Sequence, residues 1–222
     1  MTEPPAVLVD MDGVISVLPE YDPLDLALGT LRPEEDITWP RDVIEHEVTD
    51  HRGRERTLRI RPETPALVAR LAEIGPIVWC SSLANAAEVV APLVGLPTGL
   101  PQVGLPERVH GDPPREHSIK AAFVRRWAAE HDVSRIAWLD DHTGPGDERY
   151  LRHPRFVPQR PPGRDMIERE AADGSWRDDW RAMISHTPRL DDALCIWVDG
   201  TVGITAEHVA RVEAWSVRKR IR

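Results

Sequence analysis

The stretch that decides the fold is "VLVDMDGVIS", residues 7–16. Val7, Leu8 and Val9 form an apolar run of strand type, and Asp10, Met11, Asp12 and Gly13 follow it directly. Carboxylates at the end of a buried strand are costly unless a cap, an ion pair, a metal or a reacting phosphoryl group compensates them.

Continuous apolar runs at 6–9, 77–80, 136–139 and 194–198 predict four strands covered on both faces. Three of them end in residues able to do chemistry: Asp10, Ser81, and Asp140 with Asp141. Helical patterns lie between. Thr64-Pro65 predicts a cap and a first-turn proline, Leu67, Val68, Leu71 and Ile74 form a stripe, and Gly75-Pro76 ends it. A second helix is expected over 83–91, ended or kinked by Pro92. Ser118 can cap a third, with Ile119, Phe123, Val124 and Trp127 on one face. Thr205 can cap a fourth, with Val209, Val212 and Trp215 inward. This alternation predicts an α/β fold, a doubly wound and mostly parallel sheet.

Two stretches break the rhythm. In residues 14–62, the segments 43–48 and 56–60 flank Asp50-His51-Arg52-Gly53 and predict a β-hairpin flap. Residues 143–190, rich in Pro, Gly, Arg and Asp, are expected as an irregular connection with helices near 165–172 and 176–184. One domain over 1–222 is expected.

The chain has 222 residues and a net charge of -9, which argues against an extended nucleic-acid surface. No apolar run is long enough to span a bilayer, and residues 1–5 show no signal-type pattern, so a cytoplasmic location is expected. Cys80 and Cys195 stand far apart inside apolar runs and read as buried reduced thiols. Trp79, Trp138 and Trp197 on strands, and Trp127 and Trp215 on helix stripes, are expected in the core, with Trp39, Trp176 and Trp180 in irregular segments. His142 follows the acidic pair and could line the site, with a plain loop histidine as the simpler reading. Arg52, Arg54 and Arg56 alternate along the hairpin, facing either solvent or an anionic substrate.

In an open α/β sheet, ligands bind beyond the carboxyl ends of the strands. Asp10, Asp12, Ser81, Asp140 and Asp141 gather there, and Lys120, in the first turn of the third helix, reaches the same edge. These residue types suit a phosphoryl group and a hard cation. Asp10 can attack phosphorus and bind the cation, and Asp140 and Asp141 can add oxygen ligands. Ser81 can donate to a phosphoryl oxygen, Lys120 can hold charge and orient Asp10, and Asp12 can protonate the leaving oxygen.

Four motifs in order carry a resemblance. Asp10-Met11-Asp12-Gly13-Val14, then Trp79-Cys80-Ser81, Lys120, and Trp138-Leu139-Asp140-Asp141 resemble the haloacid dehalogenase-like (HAD) phosphohydrolases over about residues 6–142. Asn85, Gly95-Leu96-Pro97, and Val198-Asp199-Gly200-Thr201-Val202-Gly203-Ile204-Thr205 with His208 resemble, more narrowly, small actinobacterial proteins of one group. That group is named as the HAD domain of Swiss Army Knife RNA repair proteins. The resemblance implies a HAD-like Rossmannoid fold with a minimal cap. It implies a Mg2+-dependent phosphatase working through an aspartyl-phosphate on Asp10. Mg2+ would be held by Asp10, the main-chain carbonyl of Asp12, Asp140 and Asp141. The substrate would be a phosphorylated small molecule or a nucleic-acid end, and no membrane partner is implied.

Ser81 and Ser82 both stand where the second motif ends, and either could bind phosphate. Either of Asp140 and Asp141 could ligate the metal directly. Asp147 does not fall at the Asp-x-x-x-Asp spacing of many relatives, so no ligand role is assigned to it. Two other classes remain in view. A phosphoryl-accepting receiver domain uses similar residues, but its acidic pair comes early in the chain. A catalytically silent binding or scaffold domain of the same fold is the alternative.

Overall fold

The computed structural model describes residues 4–20, 37–83, 85–105, 120–143, 145–152 and 190–218. The expected cap at Ser118, the helices near 165–172 and 176–184, and Trp176 and Trp180 lie outside this set.

Four strands form one sheet: β1 (Ala6–Val9), β4 (Ile77–Trp79), β5 (Arg135–Asp140) and β6 (Asp192–Trp197). Their order is β4-β1-β5-β6, and every neighbouring pair is parallel. A separate antiparallel hairpin pairs β2 (Ile44–Thr49) with β3 (Glu55–Ile60). The helices are α1 (Thr64–Ile74), α2 (Ala86–Val89), α3 (Lys120–Glu130), α4 (Pro145–Arg152) and α5 (Ala206–Ser216). An α/β architecture with a parallel sheet is therefore present, and each expected strand is found within two residues of its expected ends. Among the described residues no helix is long and apolar enough to cross a membrane.

Strand pleating sorts the apolar runs into two layers. Val7, Val9, Ile77, Trp79, Ala137, Leu139 and Ile196 face one side, packed with α1, α2 and α5. Ala6, Leu8, Val78, Cys80, Ile136, Trp138, Ala193 and Cys195 face the other, packed with α3 and with Leu151 of α4. Both cysteines are buried and free. Continuous apolar strands are thus what a sheet covered on both faces needs.

The hairpin is pinned to the chain after β1. The Val17 N–H donates to the Arg59 carbonyl at 2.9 Å, and the Arg59 N–H donates to Ser16 Oγ at 3.0 Å. Alternation along β3 turns Leu58 and Ile60 inward, where they pack with Met11, Val14 and Ile15. At the tip, Asp50 Oδ1 accepts from the N–H groups of Arg52 and Arg54, and its Oδ2 accepts from the Arg54 guanidinium. Burial works to raise the Asp50 pKa, but those donors outweigh it and hold the carboxyl well below its usual range.

Several expectations are corrected. The helix expected over 83–91 is a single turn, α2, followed by a 3-10 segment at Ala91–Val94. Pro92 has no N–H to continue an α-helical ladder, and it stands in the first turn of the 3-10 segment. Thr64 does not cap α1. It is the first helical residue, Glu63 stands at the cap position, and neither makes a side-chain cap bond. Trp197 is not core: it is 57% exposed, at the last position of β6, an edge strand of the sheet among the described residues. Trp79, Trp127, Trp138 and Trp215 are buried as expected, and Trp39 lies under the Arg59 guanidinium, 3.6 Å from its ring centre. Finally, α4 occupies part of the stretch read as irregular.

Thr205 does cap α5, accepting from the His208 N–H, while His208 Nδ1 accepts from the Thr205 N–H. Burial, aided by Arg211, lowers the His208 pKa, which keeps the imidazole neutral and able to accept. Thr205→Ala is expected to cost about 1 kcal/mol of unfolding free energy, read as a lower denaturant midpoint with an unchanged m-value.

Candidate functional site

Reading β4-β1-β5-β6 against chain order places the reversal of winding between β1 and β5. Such a switch point opens a crevice at the carboxyl ends of the two strands it separates. Val9 pairs with Leu139, so Asp10 and Asp140 stand level at that crevice, and the Asp10 N–H donates to the Leu139 carbonyl at 3.1 Å. Pleating puts both on the α3 side, because Leu8 and Trp138, two residues earlier, face α3.

Lys120 opens α3 and completes the arrangement. Its ammonium donates to Asp10 Oδ2 and, at 2.8 Å, to Asp140 Oδ2. Asp10, Lys120 and Asp140 are 4%, 7% and 0% exposed, so none of the three charges is hydrated to any useful extent. The remaining carboxylate oxygens have main-chain donors. Met11 N–H reaches Asp10 Oδ1 at 2.7 Å, and His142 N–H reaches Asp140 Oδ1 at 2.8 Å.

Asp141 turns to the opposite face. A Cβ on Gly13 would lie 2.5 Å from Asp141 Oδ2, and one on Gly200 would lie 3.4 Å from the same oxygen. Gly13 also has φ +75°, a conformation that favours glycine. Two glycines from separate loops thus make room for this carboxylate. His142 Nδ1 lies 2.6 Å from Asp141 Oδ1. That hydrogen bond raises the His142 pKa against the opposing effect of burial.

Two carboxylates, Asp10 and Asp140, therefore share one ammonium, and Asp141 stands beside them. One donor atom from each of Asp10, Asp140, Asp141 and His142 falls within 4.8 Å of the others, so the group could hold a metal ion. Oxygen donors predominate, which fits a hard divalent cation. Burial, reinforced by Asp140 and Asp141, pushes Asp10 up to about 8 despite the lowering effect of Lys120. Burial works to lower the Lys120 pKa, but Asp10 and Asp140 hold it well above its ordinary value. Lys120 is thus a permanent ammonium.

Asp12 stands apart from the four. Its Oδ2 accepts from Arg56 Nη2 at 3.3 Å, across the gap between the post-β1 loop and the hairpin. Burial raises the Asp12 pKa, with Arg56 opposing. Side chains this exposed, 36% and 40%, form a pair that contributes about 1 kcal/mol at most.

Ser81 is buried at 2% exposure, while Ser82 is half-buried. Ser81 Oγ accepts from the Leu83 N–H at 3.2 Å. That bond uses a lone pair and leaves the hydroxyl proton available to an acceptor. Asp147 is buried and accepts from Thr143 Oγ1 at 3.2 Å, outside the group of four.

Sequence leaves two residues open. His142, next to the acidic pair, reads as site-lining or as a plain loop histidine, and the structure sets it on Asp141 within the group of four. Arg56 reads as facing an anionic substrate or solvent, and the structure sets it on Asp12. Its side of the strand follows from Leu58 and Ile60, two and four residues on.

No family model, curated protein or solved structure matches the chain. The family resemblance of the sequence rests on its motif residues.

Asp10 supplies a pH test of cation binding. Its folded pKa lies above the unfolded value of about 3.9, so its contribution to stability is full below that value. The contribution is lost as pH rises through about 8. A bound cation competes with the proton and offsets that loss. Millimolar Mg2+ is expected to raise Tm more at about pH 8.5 than at about pH 5.5, as followed by calorimetry. Asp140→Asn with Asp141→Asn is expected to abolish the difference.

Proposed function

We propose that this chain is a Mg2+-dependent phosphohydrolase of the HAD-like type, acting on phosphomonoesters through an aspartyl-phosphate on Asp10. The observation that carries the reading is Lys120 bridging Asp10 and Asp140 at the sheet's switch point, beside Asp141. Nucleophile, ammonium and cation ligands are then one buried group.

The chemistry runs in two steps. A carboxylate oxygen of Asp10 bonds to phosphorus as the bond from phosphorus to the leaving oxygen breaks, and Asp12 gives that oxygen its proton. Asp12 then takes a proton from water, the water oxygen bonds to phosphorus, and the bond from phosphorus to Asp10 breaks. Desolvation by the surrounding protein raises the Asp12 pKa against the pull of Arg56, the direction a proton donor needs. Lys120 offsets the repulsion between Asp10 and Asp140 and keeps Asp10 aimed at the crevice. Ser81 offers its hydroxyl proton to a phosphoryl oxygen. Asp10, Asp140 and Asp141, with the Asp12 main-chain carbonyl, would hold Mg2+. The ion's contribution is positive charge that lets an anionic nucleophile approach an anionic phosphoryl group.

The substrate is a phosphorylated small molecule or a nucleic-acid end. A net charge of -9 disfavours long contacts along a nucleic-acid backbone, whereas a phosphorylated terminus needs few. Phosphate release is the test, on an aryl phosphate, nucleotides, and RNA bearing 3′- or 5′-phosphate. Release is expected to require Mg2+ and to fall by about 10³-fold or more in Asp10→Asn, the scale of losing a nucleophile. Unchanged release in that variant would refute the reading.

A further inference from the structure

The hairpin reaches the site through one side chain. Arg56 shares the inward face of β3 with Leu58 and Ile60, which are 1% and 2% exposed in the core. Those two residues fix the strand's rotation, and the ladder from Ser16 and Val17 to Arg59 fixes its distance from the post-β1 loop. The far end is held as well, because the Asn85 side-chain amide donates to the Thr49 carbonyl at 3.3 Å. Arg56 is left at the open end of the inward face, against Asp12 Oδ2. Other arginines of the hairpin are used within it or elsewhere: Arg54 on Asp50, Arg59 on Glu45, and Arg61 on the Val202 carbonyl. Among the described residues, Arg56 is the hydrogen-bond partner of the Asp12 carboxyl.

We propose that Arg56 is a positioning residue for proton transfer, with the hairpin serving as the arm that holds the Asp12 carboxyl in its working orientation. This rests on the phosphohydrolase reading above. Guanidinium groups only donate, so the oxygen facing Arg56 must accept. The proton of the acid form is therefore carried on Oδ1. In the first step that proton moves to the leaving oxygen as its bond to phosphorus breaks. In the second step Oδ1 regains a proton from the attacking water. Arg56 itself exchanges no proton in either step, since guanidinium stays charged throughout. The same contact keeps Asp12 outside the cation-binding group, so that the acid is not spent as a fourth carboxylate ligand.

The test separates this role from phosphate binding and from folding. The readout is kcat/KM for 2,4-dinitrophenyl phosphate, whose leaving group needs no proton, and for phenyl phosphate, whose leaving group does. Wild type and Asp10→Asn are measured first, and loss of turnover in Asp10→Asn establishes the underlying chemistry independently. Arg56→Ala is then expected to lower kcat/KM on phenyl phosphate by about 10²-fold, and on the dinitrophenyl ester by less than about threefold, the pattern of impaired general-acid catalysis. Arg56→Lys, which keeps a donor without the planar fork, is expected to recover part of the loss. Arg56→Ala combined with Asp12→Asn is expected to be no slower than Asp12→Asn alone, because both act on one proton. Equal losses on the two esters, or additive losses in the double variant, would overturn the proposal. Thermal melting of Arg56→Ala alongside wild type reads folding separately.

Discussion

A single ammonium held between two buried carboxylates is the constraint on which the rest of the site depends. Lys120 meets Asp10 and Asp140 where little water can reach them. A buried charge is tolerated only when paired and hydrogen-bonded, and removing one partner leaves the others exposed to the full cost of desolvation. The two acids come from β1 and β5, and the base comes from α3. Parallel pairing in register, pleating toward α3, and the start of α3 at the sheet's edge must all hold for the three to meet. The site is thus a product of the whole sheet, not of a local turn.

The arrangement also divides labour between the two faces of the sheet. Asp10 and Asp140 turn to the α3 side, whereas Asp141 turns to the other and lies against Gly13 and Gly200. Three carboxylates from two strand ends thereby approach one point from two sides. Burial, with Asp140 and Asp141, pushes the Asp10 pKa up against the opposing pull of Lys120. Asp12 lies outside this cluster, with its carboxyl hydrogen-bonded to Arg56. Two carboxylates separated by one residue are consequently placed in unlike surroundings, a common route to unlike roles in acid–base chemistry.

Much of this was legible in the residues. Continuous apolar runs marked the four strands, and the acids just past them marked the edge where the site lies. Lys120 was legible from its place near a helix start. Other features depended on long-range register. Which of Asp140 and Asp141 faces α3 follows only once Trp138 is known to face that helix. Arg56 could be assigned only when Leu58 and Ile60 were seen to point inward. Helix α4 was hidden because its sequence, Pro145–Arg152, offers little apolar stripe beyond Leu151. Its acidic first turn, Asp147 and Glu148, was the local sign. Trp197 looked like core because an apolar run does not reveal that its strand lies at an edge of the sheet.

The most direct test of the account is to find where the phosphoryl group goes. The protein would be turned over on an aryl phosphate with Mg2+, quenched in acid, reduced with borohydride and mapped by mass spectrometry. Reduction of an aspartyl-phosphate converts that residue to homoserine, and the account predicts this change at Asp10. Reduction at a different aspartate, or steady turnover with Asp10 never modified, would contradict it.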